Sequence, residues 1–133
     1  MTFRVRLAAP EEIGVLTDLV VRSKFHWGYD EKYRELLTTI LAVSREKTSI
    51  GDCWVAETET SELAAVCQFN SSATPPHLDL LFVDPEYIGQ GAGSLLFDTL
   101  ISNARRRGFA RFVLAADPNA AAFYIGKGGR ITG

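Results

Sequence analysis

The sequence has little of what marks several large classes of protein. Only two of its 133 residues are cysteines and two are histidines, and they form no metal-binding motif. No apolar run approaches the roughly 18 residues that a membrane span requires, and the N-terminus lacks the apolar core of a signal peptide. Lys and Arg number 14 against 16 Asp and Glu, so the net charge of −2 offers no basic field to nucleic acid or anionic lipid. We therefore expect a cytoplasmic protein without metal, nucleic-acid or membrane partners, in which Cys53 and Cys67 are buried free thiols.

The composition is that of one globular domain. With 47% hydrophobic residues over 133 positions, the chain can bury one core but is too short for two, so we predict a single domain over residues 1–133. The apolar periodicities predict an α/β (α+β) fold of the order β-α-α-β-β-β-α-β-α-β, with a mixed central sheet flanked by helices. The predicted strands are 3–7, 53–58, 63–70, 77–83, 111–116 and one from Arg130, and the predicted helices are 10–23, one from Asp30, 93–107 and a short one from Asp117 or Asn119.

A glycine-rich turn after the fourth predicted strand is the most informative segment. Leu-Leu-Phe-Val at 80–83 is followed by Gly-Gln-Gly-Ala-Gly-Ser at 89–94 and then by a helix. Alternating glycines let an anion approach the backbone, and the amides of a helix N-terminus favour a phosphate, so a pyrophosphate would fit here. The spacing suits neither a Rossmann fingerprint nor a Walker loop. The alternative is a tight turn whose glycines only permit packing.

These residues resemble a known family, the GNAT superfamily of acyl-CoA-dependent N-acyltransferases. Residues 83–93 resemble its V-x-P strand end and Q/R-x-x-G-x-G/A loop, with Ile88 in place of the usual Gln or Arg. Residues 117–129 resemble its second motif, N-x-x-A-x-x-F/L-Y-x-x-x-G-F, with Asp117 for the Asn and Gly129 for the final Phe. The resemblance covers nearly the whole chain in element order and implies acetyl-CoA as the acyl donor. The implied donor-binding residues are Leu81, Phe82, Val83, Gly89, Gln90, Gly91, Ala92, Gly93, Ser94, Asp117, Asn119 and Phe123.

The resemblance implies an enzyme, an N-acetyltransferase that moves the acetyl group to a primary amine by direct attack in a ternary complex. Tyr124 is the candidate general acid, because the pKa values of a phenol (about 10) and of a thiol (about 8.5) are close enough for proton sharing; the alternative is a core aromatic. Asp79 interrupts an apolar strand and is the candidate base or ammonium partner, or else a solvent-facing residue. A backbone N–H of the same strand is expected to hold the carbonyl. The alternative function is a catalytically silent acyl-CoA-binding module of the same fold, suggested by Ile88, Asp117 and the short C-terminus.

An aromatic segment between the first two predicted helices is the candidate acceptor site. Aromatic rings beside an acid suit a cationic amine, and in the family this junction commonly forms one wall of the acceptor cleft. We expect a small-molecule or peptide amine there; the alternative is that the segment caps the helix pair. The candidate residues are His26, Trp27, Tyr29 and Asp30.

The C-terminus departs from the family's usual pattern. The family usually ends with one more strand after the strand that begins here at Arg130, so the resemblance implies that the final strand is missing. Because an unpaired sheet edge favours association, we expect a possible homodimer.

Overall fold

A five-stranded sheet lies at the centre of the structure, with its strands in chain order. The structure is a computed structural model that describes residues 2–26, 32, 36, 38, 42–115 and 120–130. The first four strands pair antiparallel, and the fifth runs parallel to the fourth. The strands are β1 (Phe3–Leu7), β2 (Cys53–Thr58), β3 (Leu63–Asn70), β4 (His77–Val83) and β5 (Val113–Leu114); the helices are α1 (Ile13–His26), α2 (Arg45–Ser49), α3 (Ala92–Arg106) and α4 (Ala121–Gly126), with 3-10 turns at Pro10–Glu12 and Pro85–Tyr87.

The structure confirms the predicted α/β class and the bounds of β1 to β4. It differs from the prediction made from the sequence at three places. Helix α1 continues to His26, because Lys24 and His26 are basic residues that the negative end of a helix accepts. Helix α2 has no apolar periodicity and begins because the Ser44 side chain accepts a hydrogen bond from the Lys47 amide. Strand β5 has two residues instead of the predicted six, since its pairing with β4 ends early. The helix predicted from Asp30, the helix start predicted at Asp117 or Asn119, and positions 131–133 of the last predicted strand lie outside the described residues.

Each face of the sheet carries its own hydrophobic core. On one face, Leu96 and Leu100 of α3 pack on Phe69 of β3. On the other face, Leu16 and Val20 of α1 pack among buried residues of β2, β3 and β4. Helices therefore cover both faces of the sheet. In the described parts of the chain, no helix has the length and apolar character that crossing a membrane requires.

A β-bulge at Asp79 changes the direction of the side chains in the middle of β4. Gln68 pairs with Leu80, whereas the next residue of β3, Phe69, pairs with Leu78, so Asp79 is an extra residue on β4. In a regular strand, residues two apart lie on the same face. Here Leu78 belongs to the core beneath α3, and Leu80 belongs to the core beneath α1. The bulge thus allows both leucines to be buried on opposite faces of the sheet.

Two ion-paired carboxylates hold the ends of the helices to the sheet. Asp52, which is fully buried, accepts hydrogen bonds from the Ser71 amide (3.0 Å) and from Nη1 of Arg107 at the end of α3 (2.9 Å). Glu12, just before α1, forms a bidentate pair with Arg6 of β1 at 2.9 and 2.8 Å. This pair lowers the pKa of the Glu12 carboxyl, chiefly through the hydrogen bond from the guanidinium.

Candidate functional site

Strands β4 and β5 part soon after they begin to pair. Their parallel pairing covers only His77 and Leu78 of β4. The amide of Asp84, just after β4, donates to Ala64 of β3 at 2.8 Å. Since amides along a strand point alternately to its two sides, those of Leu81 and Val83 point away from β3 and into the gap. The gap therefore presents backbone donors that β5 does not pair within the described residues.

A cleft of about 350 Å³ opens at this gap. Four of the residues predicted to act in the site line it together: the catalytic candidates Asp79 and Tyr124, and the donor-binding candidates Leu81 and Phe82. Leu81 and Tyr124 pack against the core beneath α3, whereas Phe82 packs against the core beneath α1. The residues that line the cleft therefore come from both sides of the sheet. The other lining residues are Lys24, Leu78, Leu114, Ala115 and Ala120.

Tyr124 is held on α4 by aromatic packing and by the end of its helix. Its ring lies 5.6 Å from the Phe97 ring of α3 and 5.3 Å from the Phe123 ring, both edge-on. After the helix, the Gly129 amide donates to the Tyr124 carbonyl at 2.8 Å, and the Gly128 amide donates to the Ile125 carbonyl at 3.0 Å. With Gly128 at a φ of +94°, this is the Schellman arrangement that ends many helices. The turn fixes the backbone that carries the phenol.

Asp79 is exposed, as the solvent-facing alternative proposed, but its side chain still lines the cleft. Nε2 of Gln68 on β3 lies 3.5 Å from one carboxylate oxygen of Asp79. Gln68 is itself buried, and its side-chain oxygen accepts a hydrogen bond from the Ser44 amide at 2.7 Å. Gln68 thus connects the Asp79 carboxylate to the start of α2. Sequence reasoning missed it, and its only signal was a polar residue within an apolar strand.

The glycine-rich turn leads from β4 into α3. Asp84 anchors its start, accepting hydrogen bonds from the Glu86 amide at 3.0 Å and from Arg22 of α1 at 2.6 Å. Gly89 and Gly91 have backbone φ values of +81° and +93°, which residues other than glycine rarely adopt. Gly91 is the N-cap of α3 and provides no side-chain cap to the first amides of the helix.

Gly93 and Ser94, in the first turn of α3, are in close contact with their surroundings. A Cβ on Gly93 would lie 3.0 Å from the Val83 side chain, so only glycine fits the junction of strand and helix without displacement. Nζ of Lys127, just after α4, donates to the Ser94 hydroxyl and to Asp98 of α3. Lys127 therefore ties the helix of Tyr124 to the beginning of α3.

Several predicted site residues lie elsewhere or outside the described residues. His26 is exposed at the end of α1 and does not line the cleft. Phe123 packs on Phe97 and Tyr124 instead of facing the cleft. Among the described residues, no group of three or more His, Cys, Asp or Glu could hold a metal ion. Trp27, Tyr29, Asp30, Asp117 and Asn119 lie outside the described residues.

Solved structures share this architecture. The PaiA N-acetyltransferase from Thermoplasma acidophilum, solved with coenzyme A, superposes with a TM-score of 0.76 at 20% identity over 97% of this chain and 89% of that one. A GCN5-related N-acetyltransferase from Rhodopseudomonas palustris gives 0.74 at 25% identity, over 96% and 81% of the two chains. A predicted acetyltransferase from Clostridium acetobutylicum, solved with acetyl-CoA, gives 0.72 at 19% identity, over 98% and 92%. No curated protein sequence matches the chain significantly.

The split sheet and the glycine-rich turn thus place the chain in the fold class of the N-acetyltransferases. The family model described as the acetyltransferase (GNAT) domain matches residues 29–130. The chain belongs to this family, and the resemblance that its motifs indicated is confirmed.

Proposed function

We propose that this protein is an N-acetyltransferase that moves an acetyl group from acetyl-CoA to a primary amine by direct attack in a ternary complex. The observation that carries the proposal is that Tyr124 and Asp79, on different elements, line the same cleft, at the point where the described part of β5 no longer pairs with β4. Family membership and the structures solved with coenzyme A or acetyl-CoA support the choice of donor.

The donor site has the properties that a pyrophosphate requires. The exposed Gly89 and Gly91 leave the backbone open to an anion, and a Cβ at either position would have no atom of the described residues within 4 Å. The first amides of α3 have no intrahelical acceptor and no side-chain cap, and the helix dipole favours negative charge there. Ile88 provides no side-chain donor, so binding would depend on these amides. Bound acetyl-CoA would supply the thioester and its leaving thiolate.

The chain's own groups then account for the chemistry. The amides of Leu81 and Val83 provide donors toward the carbonyl of the acetyl group in the gap. Asp79 holds the acceptor as its ammonium and receives a proton, directly or through water, so that the neutral amine can attack the carbonyl carbon. Tyr124 donates its phenol proton to the sulfur as the C–S bond breaks. After the attack, the nitrogen carries a surplus proton, which it loses to the Tyr124 phenolate, directly or through water. Asp79 then releases its proton to solvent, so both residues return to their starting protonation states when the amide and the free thiol leave.

The first experiment is a thermal-shift titration with acetyl-CoA, with CoA, NAD and ATP as comparisons. A ligand at about 100 times its dissociation constant adds about 2.7 kcal/mol to the free energy of unfolding, which a small domain registers as several degrees in Tm. We expect acetyl-CoA and CoA to raise Tm and NAD and ATP not to do so. No shift with acetyl-CoA would contradict the proposed donor site.

The second experiment measures turnover over a panel of primary amines through the thiol released from acetyl-CoA. Cys53 and Cys67 do not compete for the thiol reagent, because both are buried and burial raises the pKa of the Cys53 thiol to about 11. Tyr124→Phe keeps the ring and removes the hydroxyl that donates the proton, so kcat should fall about 100-fold or more while the Kd of CoA is unchanged. Asp79→Asn should raise KM for the amine and lower kcat. Binding of acetyl-CoA without turnover of any amine would indicate the catalytically silent module instead.

The cytoplasmic location, the possible homodimer and the acceptor role of the segment around His26 stay predictions. Light scattering tests the dimer, since a monodisperse monomer would contradict it. Substitution of His26 by Ala tests the acceptor role, and an unchanged KM for the amine would contradict it.

A further inference from the structure

Tyr87 comes just before the glycine-rich turn and is held by contacts with two other segments. Its side chain is buried in the core beneath α3, where its ring meets the Phe3 ring of β1 edge-on at 6.1 Å between centroids. Its hydroxyl donates a hydrogen bond to a carboxylate oxygen of Glu62, in the turn between β2 and β3. This bond raises the pKa of Tyr87 to about 12, so the phenol stays protonated and remains a donor at neutral pH.

Glu62 is held in place by the hairpin of β2 and β3, although the residue is exposed. Its amide donates to the Thr58 hydroxyl at 3.1 Å, and its carbonyl accepts a hydrogen bond from the Thr58 amide at 2.9 Å. The carboxylate that receives the Tyr87 hydroxyl therefore belongs to a backbone that the sheet already fixes.

The backbone of Tyr87 connects this contact to the turn that would bind the donor pyrophosphate. The Tyr87 amide donates to the Asp84 carbonyl at 2.8 Å, and the Tyr87 carbonyl accepts from the Gln90 amide at 3.3 Å. Further along, a Cβ on Gly89 or Gly91 would meet no described atom within 4 Å, so no described side chain packs against that side of the turn. The position of the turn thus depends on the residues that precede it.

We propose that Tyr87 is a positioning residue for the donor, and that its hydrogen bond to Glu62 holds the glycine-rich turn in the shape that directs its amides at the pyrophosphate. The inference rests on the proposed function, since it concerns the site proposed for acetyl-CoA. Ile88 provides no side-chain donor, so affinity depends on the alignment of the amides. Amides that are fixed before the donor arrives lose less conformational entropy on binding. Tyr87 does not line the cleft, so the chemical step should not depend on it.

The test measures the Kd of CoA by titration calorimetry and kcat at saturating acetyl-CoA, both in the full chain. Tyr87→Phe keeps the ring and removes the hydroxyl, and should raise the Kd of CoA about fivefold while kcat changes by less than about twofold. Glu62→Ala removes the acceptor and should have the same effect, whereas Glu62→Gln keeps an acceptor oxygen and should bind CoA like the wild type. Glu59→Ala removes an exposed carboxylate from the same turn, controls for the change of charge and should leave Kd unchanged.

The double variant Tyr87→Phe/Glu62→Ala distinguishes the hydrogen bond from separate effects of the two side chains. If the bond carries the effect, the double variant should bind CoA no more weakly than either single variant. Additive losses, or an unchanged Kd in both single variants, would overturn this inference and leave the donor site standing. Failure of the wild type to bind CoA would overturn both, and the Kd values decide between these outcomes even where no amine is turned over. Thermal melts establish that each variant is folded, and Glu62→Ala, at an exposed position, tests the same bond where Tyr87→Phe does not fold.

Discussion

Three glycines within four residues at the end of α4 should respond differently to the same substitution by alanine. A Cβ on Gly129 would lie 2.8 Å from the Tyr124 carbonyl oxygen, against the 3.4 Å at which ordinary van der Waals contact begins. A Cβ on Gly128 would meet nothing within 4 Å in the described part of the chain, but the residue has a φ of +94°. A Cβ on Gly126 would likewise meet no described atom within 4 Å, and its φ is not positive. One turn thus offers a steric case, a conformational case and a control.

The magnitudes follow from these contacts. In Gly129→Ala, the turn and the Tyr124 carbonyl must separate by about 0.6 Å, the difference between 3.4 and 2.8 Å. This weakens the hydrogen bond from the Gly129 amide, so about 1–2 kcal/mol of stability is lost with the added strain. Since a 1 Å displacement at a reacting group can cost about 100-fold in rate, kcat should fall roughly tenfold. The Kd of CoA should not change, because α3 carries the glycine-rich turn.

The other two substitutions distinguish an effect of displacing Tyr124 from an effect of lower stability. Gly128→Ala should lose about 1–2 kcal/mol to left-handed backbone strain. Gly126→Ala should gain up to about 1 kcal/mol, as alanine does within a helix. Thermal melts measure the stabilities, and steady-state kinetics measure kcat with acetyl-CoA and the best amine of the panel. If Gly129→Ala were as stable and as active as Gly126→Ala, the close contact with Tyr124 would have no functional meaning and the reasoning would be refuted.

Two further predictions concern the carboxylates that hold the helices to the sheet. Asp52→Ala should lose about 2 kcal/mol, because it breaks hydrogen bonds worth about 1 kcal/mol each and leaves a partly exposed Arg107 that water can solvate. An unfolding entropy of about 2.1 cal/mol/K per residue then lowers Tm by about 7 °C, and an unchanged melt would contradict the role of the pair. Glu12 has a lowered pKa in the folded state, so its contribution is present above the ordinary value of 4.5 and is lost as pH falls through the folded pKa. The difference in Tm between wild type and Glu12→Gln should therefore be largest at neutral pH and shrink below pH 4.5; a difference that grows on acidification would reverse the assigned sign.

The sequence predicted the parts of the fold that local chemistry determines. Strands β1 to β4 alternate or run apolar between clear turn residues, and their bounds were confirmed. The glycines at 89, 91 and 93 indicated an anion-binding turn, and the structure gives each of them a conformation or a contact that glycine alone allows without strain. Tyr124 could be singled out because its motif places it one residue after Phe123 and before a glycine turn.

The features of the fold and of the site that the sequence did not predict are mostly set by contacts between distant segments. Helix α2 is a single turn started by a Ser44 cap, too short for periodicity to reveal. Gln68 reaches Asp79 only because β3 and β4 pair, and nothing near Gln68 in the sequence indicates this. Lys24 lies two residues before His26, the first of the predicted acceptor residues, but only the structure shows that its side chain lines the cleft. Asp79 was noticed as an acid in an apolar strand, but the reason for it is the bulge, which only strand pairing reveals.

The bulge explains why one strand can serve two cores and a cleft. Regular alternation would put Leu78 and Leu80 on one face, so that only one of the two cores would receive a leucine from this part of β4. The extra residue shifts the alternation of side chains, so that Leu78 and Leu80 lie on opposite faces of the sheet. It comes just after Leu78, where the pairing with β5 ends. Asp79 therefore stands where the sheet begins to open, with its side chain in the cleft and no core position to fill. An acid at this point costs the fold little, because the residue is exposed, whereas the same acid one position away would be buried. The position that the two cores leave free is thus the position at which the cleft can hold a charge.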